Sequence, residues 1–191
     1  GHSPAIVTGK PVELGGSLGR DSATGRGVGY VLQEAASDLA INIGDLDIVI
    51  QGFGNVGSWT VKLLHEAGCK IIAVSDVEGG IYNPQGLDID NLIQRQAEGL
   101  SIPDSSSGDR VSNAELLELQ CDVLIPAAID NVLTGENAPR VKAKLVMEAA
   151  NHPVTVDADD ILNDRGIAIL PDILVNAGGV TVSYFEWTQN L

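Results

Sequence analysis

Between residues 47 and 67 an apolar stretch, Asp47-Ile48-Val49-Ile50-Gln51, runs straight into Gly52-Phe53-Gly54-Asn55-Val56-Gly57 and on into a helix-patterned segment over 56–67. A GxGxxG held between strand and helix leaves few folds open. Gly52 permits the tight turn, Gly54 lets the backbone approach a pyrophosphate, and Gly57 allows the helix to pack closely on the strand. The helix N-terminus then offers free N–H donors to anionic oxygens. Asp76 closes the next apolar run, 70–75, nineteen residues beyond Gly57, where such a unit places a carboxylate that accepts from the adenosine ribose. The pairing points to a nicotinamide or flavin dinucleotide. A glycine-rich loop that only turned the chain would leave Asp76 unexplained.

The rest of the chain repeats the same alternation. Apolar residues at helical spacing (Val28, Val31, Leu32, Ala35, Ala36, Leu39) predict a helix over 21–40, with Asp21 or Ser22 as its cap. Strands are expected over 48–50, 70–75, 122–125, 145–147 and 167–170, and helices over 56–67, 88–98, 157–163 and 177–189. Ser112 caps a short helix through Leu119, 137–141 is at best a short helix, and 99–109, with Pro103 and three successive serines, reads as an exposed loop. Strands separated by helices imply an α/β fold of Rossmann type: a doubly wound, mostly parallel sheet with helices on both faces. Ligands then sit at the strands' C-terminal ends, which gathers 52–57, Asp76, Pro126-Ala127-Ala128, Ala149-Ala150-Asn151 and 171–179 on one rim.

Composition agrees. The 191 residues suit one buried domain over 4–191, and 44% hydrophobic with only 4% aromatic residues means a core of Val, Ile, Leu and Ala, as a sheet covered on both faces requires. A net charge of -15 argues against general affinity for nucleic acid or anionic membrane, so an anionic ligand must be held locally. Cys69 and Cys121 lack metal or redox spacing and read as buried, reduced thiols. No apolar stretch approaches the ~20 residues needed to cross a bilayer and no signal-peptide pattern is present, so a cytoplasmic location is expected. Gly1-His2-Ser3 reads as a cleavage remnant outside the fold. Triad, HExxH, P-loop lysine and Cys-rich metal patterns are absent from the sequence.

Several polar residues on or near this rim have two readings. Thr24, inside Ala23-Thr24-Gly25, offers a hydroxyl where small neighbours admit a ligand, whereas Arg26 reads as a solvated charge. Asn151 can hold a ribose hydroxyl or the nicotinamide carboxamide, or serve as a turn residue before His152-Pro153. His152 reads as a surface residue rather than a general base. Asn176, in Asn176-Ala177-Gly178-Gly179, can line the site, cap the last helix, or do both.

Longer blocks carry a further signal: Val7-Thr8-Gly9-Lys10-Pro11, Gly19-Arg20-Asp21-Ser22-Ala23-Thr24-Gly25-Arg26-Gly27-Val28, Glu148-Ala149-Ala150-Asn151-His152-Pro153, and Val175-Asn176-Ala177-Gly178-Gly179-Val180 through Phe185-Glu186-Trp187. Over nearly its whole length the chain closely resembles the glutamate dehydrogenases. The leucine, valine and phenylalanine dehydrogenases share the architecture, but 23–28 looks like the glutamate branch. The resemblance implies reversible oxidative deamination of L-glutamate to 2-oxoglutarate and ammonia, with hydride passing to a nicotinamide. By position it assigns Arg20, Thr24, Asn151 and Asn176 to the cofactor, Gly52, Phe53, Gly54, Asn55, Val56 and Gly57 to the pyrophosphate, and Asp76 to the adenosine ribose. Ala127, Ala128 and Asn131 would flank the cofactor. Val180 and Ser183 would face the substrate side chain, Ser183 meeting its distal carboxylate.

The family's catalytic lysines and aspartate belong to a preceding domain that this chain lacks, so the expectation is a cofactor-binding domain, inactive alone, from an enzyme that is a homo-oligomer, usually a hexamer, when intact. Asp76 and Glu78 would repel a 2′-phosphate and no Arg or Lys lies between Val74 and Tyr82, which predicts NAD in preference to NADP, with NADP use still possible. A non-catalytic dinucleotide-sensing module, or a leucine, phenylalanine or valine dehydrogenase domain, is the alternative.

Overall fold

The computed structural model describes residues 3–38 and 40–191. Leu39 and the first two residues of the expected remnant, Gly1 and His2, lie outside the described residues. The first helix, α1 (Ala23–Asp38), leads through a short 3-10 turn into β1 (Asp47–Gln51), followed by α2 (Asn55–Glu66) and β2 (Lys70–Asp76). Next come β3 (Gly79–Tyr82), α3 (Ile89–Ala97), β4 (Asp109–Val111), α4 (Asn113–Leu117) and β5 (Val123–Pro126). The chain continues through β6 (Leu145–Met147), α5 (Val156–Asp164), β7 (Ala168–Leu170), α6 (Asp172–Val175) and α7 (Ala177–Gln189).

Among the described residues the strands form one sheet in the order β4-β3-β2-β1-β5-β6-β7. β2, β1, β5, β6 and β7 are parallel, with Gln51 opposite Ser75 on one side and Pro126 on the other. β1 leads to β2 in one direction, and the chain later returns to lay β5 on the opposite side. The crevice of a doubly wound sheet therefore opens between the C-terminal ends of β1 and β5.

Alternate residues of the central strands are buried on opposite faces. Ile48, Ile50, Val74 and Ile125 meet Val28 and Leu32 of α1 and Val61 and Leu64 of α2. Val49, Ile72, Leu124 and Val146 meet Leu116 of α4 and Leu162 of α5. Each such fully buried branched side chain contributes roughly 2 kcal/mol through removal from water. Cys69 and Cys121 are buried free thiols, and burial pushes them up to about 11 and about 12, respectively.

Gly79-Gly80-Ile81-Tyr82, for which the sequence suggests no element, is an antiparallel strand on β2, with Asp76 opposite Gly79, and β4 pairs antiparallel on its outer edge. One expectation needs correction. The segment 99–109 is not simply exposed: Ile102 is 2% exposed and Ser105 6%, and the Ile102 N–H donates to Asp76 Oδ2 at 2.7 Å. Helix capping also differs. Ser112 and Glu115 form the reciprocal capping box expected of a short helix, whereas Ser22 Oγ donates to the Gly19 carbonyl and Asp21 Oδ1 accepts from the Ser22 N–H, in place of the expected cap.

A buried acid joins the chain's two ends. Glu186 of α7 is fully buried and accepts from the Gly9 N–H at 2.7 Å, the Lys10 N–H at 3.2 Å and Lys10 Nζ at 2.7 Å. The Lys10 side-chain hydrogen bond, with the two N–H groups, draws its carboxyl from the ordinary 4.5 down to about 2. A depressed folded-state value means that the stabilisation is complete above the ordinary value and fades as pH falls from about 4.5 towards about 2. The urea-midpoint difference between the parent chain and Glu186→Gln is expected to stay constant above that window and to shrink within it; a difference that persists unchanged to the acid end contradicts the latch.

Candidate functional site

At the C-terminal end of β1 the backbone turns through Gly52, whose φ of 104° is open to glycine and strained for other residues. A Cβ there would also stand 2.8 Å from Ala128 Cβ, and one on Gly57 would run into the Gly52 carbonyl oxygen. Gly54 differs: a Cβ on it would meet nothing within 4 Å and would project into open space. The turn, Gly54 included, lines a cleft of about 900 Å³ together with Asp76, Val77, Asn113, Leu117 and Val132. The first N–H groups of α2 have no intrahelical partner. The backbone at Gly54 is thus bare and leaves amide donors for an anionic group.

Asp76 sits at the cleft's outer wall. Its Oδ1 accepts from the Glu78 N–H at 2.8 Å and its Oδ2 from the Ile102 N–H at 2.7 Å, while its carbonyl accepts from Asn113 Nδ2 at 3.0 Å. Each carboxylate oxygen retains a lone pair for a hydroxyl donor.

A second cavity of about 850 Å³ adjoins the first, sharing Val56, Ala127, Ala128 and Ile129. Thr24, Arg20, Asn151, Asn176, Val180 and Ser183 line it. Close packing of α1 on α7 brings these groups together, since a Cβ on Gly178 would strike the Ala23 carbonyl and one on Gly27 would stand 3.2 Å from Gly178. Arg20 Nε donates to Ser183 Oγ at 2.9 Å, which fixes a cation beside a hydroxyl. Asn176 Nδ2 donates to Asn151 Oδ1 at 2.7 Å, so its side chain faces the cleft rather than capping α7. Beneath this end, burial pushes the Glu148 carboxyl up, and the Asp172 N–H donating to it at 2.9 Å works the other way.

A model of the glutamate/leucine/phenylalanine/valine dehydrogenase family matches residues 15–191. The chain belongs to this family. It is 51% identical over 189 residues to the cryptic catabolic NAD-specific glutamate dehydrogenase GudB of Bacillus subtilis and 50% identical over 188 residues to the catabolic NAD-specific glutamate dehydrogenase RocG of the same organism. Those alignments cover 99% and 98% of this chain but 44% of each relative, so the chain spans less than half the length of these curated relatives. Among solved structures, the hetero-hexameric glutamate dehydrogenase of Thermus thermophilus superposes with a TM-score of 0.88 at 36% identity, covering 98% of this chain and 44% of that one. The glutamate dehydrogenase of Peptoniphilus asaccharolyticus does so with a TM-score of 0.77 at 42% identity, covering 97% of this chain and 43% of that one.

The dehydrogenase fold brings most of the expected residues to one continuous cleft, with the glycine-rich turn and Asp76 at one end, Ala127 and Ala128 in the middle, and Thr24, Arg20, Asn151, Asn176, Val180 and Ser183 at the other. Asn131 lies outside both cavities. It is exposed, with φ of 51°, and its Nδ2 donates to Asp130 Oδ2. Asn55 lines the cleft, but its amide donates to the Asp21 carbonyl at 3.0 Å, which ties the turn to the start of α1. His152 is exposed and 4.0 Å from Asp172, and it lines the second cavity at its open edge. Arg26 is exposed. The coupling of Arg20 to Ser183 was invisible in sequence because 163 residues separate them. Glu186, a lone acid between Phe185 and Trp187, was the one local sign that α7 contacts a distant cation.

Proposed function

We propose that this chain is the dinucleotide-binding part of an amino-acid dehydrogenase acting on L-glutamate, and that it prefers NAD. The observation that carries the reading is the cleft itself. It crosses the point where strand order reverses, with unpartnered amides at the centre, a fixed carboxylate at one end and a fixed guanidinium at the other. Amides between them suit a diphosphate, and Asp76 suits a ribose diol. The bound nicotinamide would supply the hydride acceptor; the protein's part is to orient it. Thr24 and the Asn151–Asn176 pair would hold its carboxamide, while Arg20 and Ser183 would meet a substrate carboxylate.

Asp76 and the neighbouring Glu78 place negative charge where NADP carries its extra phosphate. Both Bacillus relatives are NAD-specific, which supports the same preference. Release of a proton from a substrate amine needs a base; among the described residues no lysine lines either cavity, and the Asp130 and His152 that line one of them are exposed, His152 lying 4.0 Å from Asp172. The catalytic groups belong to the remainder of the intact protein, which would assemble as a cytoplasmic homo-oligomer. Among the described residues no helix is long and apolar enough to cross a membrane.

The purified chain mixed with NAD and L-glutamate is therefore expected to accumulate no reduced nicotinamide, although it binds the dinucleotide. Glutamate-dependent reduction by the chain alone overturns the division of labour.

A further inference from the structure

The glycine-rich turn is held from behind by a residue on another element. Gln96, in the last turn of α3, donates through Nε2 to the Phe53 carbonyl at 2.6 Å, across 43 residues of sequence. In a trans peptide the carbonyl of one residue and the N–H of the next point in opposite directions. Pinning the Phe53 carbonyl towards α3 therefore aims the Gly54 N–H the other way, towards the cleft. Among the described residues that N–H has no protein acceptor. Phe53 is 5% exposed, and its side chain belongs to the buried cluster on this face of the sheet, so the residue is anchored on both sides of its peptide. A hydrogen bond accepted by the carbonyl also polarises the amide and strengthens its N–H as a donor.

We propose that Gln96 is a positioning residue for the diphosphate: it orients the Phe53–Gly54 peptide so that the Gly54 N–H is presented as an anion donor before any ligand arrives. The inference rests on the dinucleotide reading of the cleft and adds the element that preorganises it. Gln96 itself is exposed and lines neither cavity of the cleft. Its removal costs little folding stability, because water can replace it at the carbonyl, but the peptide then samples other orientations.

The experiment compares the parent chain with Gln96→Met, which keeps length without the donor, and with Gln96→Asn, which keeps the donor on a shorter arm. Calorimetry with NAD, ADP-ribose and the phosphate-free adenosine reads the binding, and the amide nitrogen–proton spectrum of the ligand-free chain reads the Gly54 N–H directly. For Gln96→Met the expected result is a Kd for NAD and ADP-ribose raised roughly threefold to tenfold, the effect of about one hydrogen bond. Adenosine binding and thermal midpoint should be unchanged, and the Gly54 amide resonance should shift without ligand. Gln96→Asn should fall between parent and Gln96→Met. An unchanged Gly54 resonance, an unchanged Kd for both diphosphates, or an equal loss on adenosine overturns the role of Gln96. A parent chain that binds none of the three ligands while the Gly54 resonance shifts overturns the dinucleotide reading instead and leaves only the peptide orientation supported.

Discussion

Gly57→Ala is expected to destabilise the fold by about 2 to 3 kcal/mol and to abolish measurable dinucleotide binding, because the new methyl has no room beside the Gly52 carbonyl oxygen and α2 must move off the strand. Gly54→Ala makes the contrasting case. Its φ of -74° suits any residue and nothing lies within 4 Å of the added carbon, so the urea midpoint should hold or rise slightly. Binding should still fall at least tenfold, since the methyl occupies the space over the bare amides. The pair separates packing from ligand approach within one short motif. Equal stability loss in both variants, or unimpaired NAD binding by Gly54→Ala, contradicts the assignment of the turn.

Asp76→Ala is expected to act twice. The carboxylate satisfies the Glu78 and Ile102 N–H groups, and Ile102 is buried, so its removal strands a donor and lowers stability by about 2 kcal/mol. At the ligand it removes both the acceptor for the ribose hydroxyls and a charge that opposes a 2′-phosphate. The Kd for NAD should rise about tenfold while that for NADP changes little or falls, narrowing or reversing the preference. Asp76→Asn offers the check on charge: one amide oxygen can still accept from a backbone N–H, so the discrimination should drop more than the stability. Discrimination that survives in both variants would place its origin away from Asp76.

How much of this was legible depends on how local each determinant is. The β1–turn–α2 unit could be read because strand, glycines and helix start follow one another along the chain and each constrains the next. The short strand β6 and the long helix α7 fall on their expected bounds, β6 because its apolar run is local to it. β3 could not be read this way. Its two glycines signal a turn, and only pairing with Asp76 and Ser75 turns them into a strand. Likewise 99–109 looks exposed by composition, yet Ile102 packs into the core and its amide is held by Asp76. Asn176 was read with two roles open, and the structure turns its amide to Asn151 because that residue is brought beside it from the end of the strand region 145–151, not by anything adjacent in sequence. Gln96 and Arg20 belong to the same class: their partners are set by how elements pack.

The most direct test of the central claim is calorimetric titration of the purified chain with NAD, repeated with NADP at the same salt. One-to-one binding of both dinucleotides is expected, with the lower dissociation constant for NAD. No heat with either dinucleotide, or tighter binding of NADP, would contradict it.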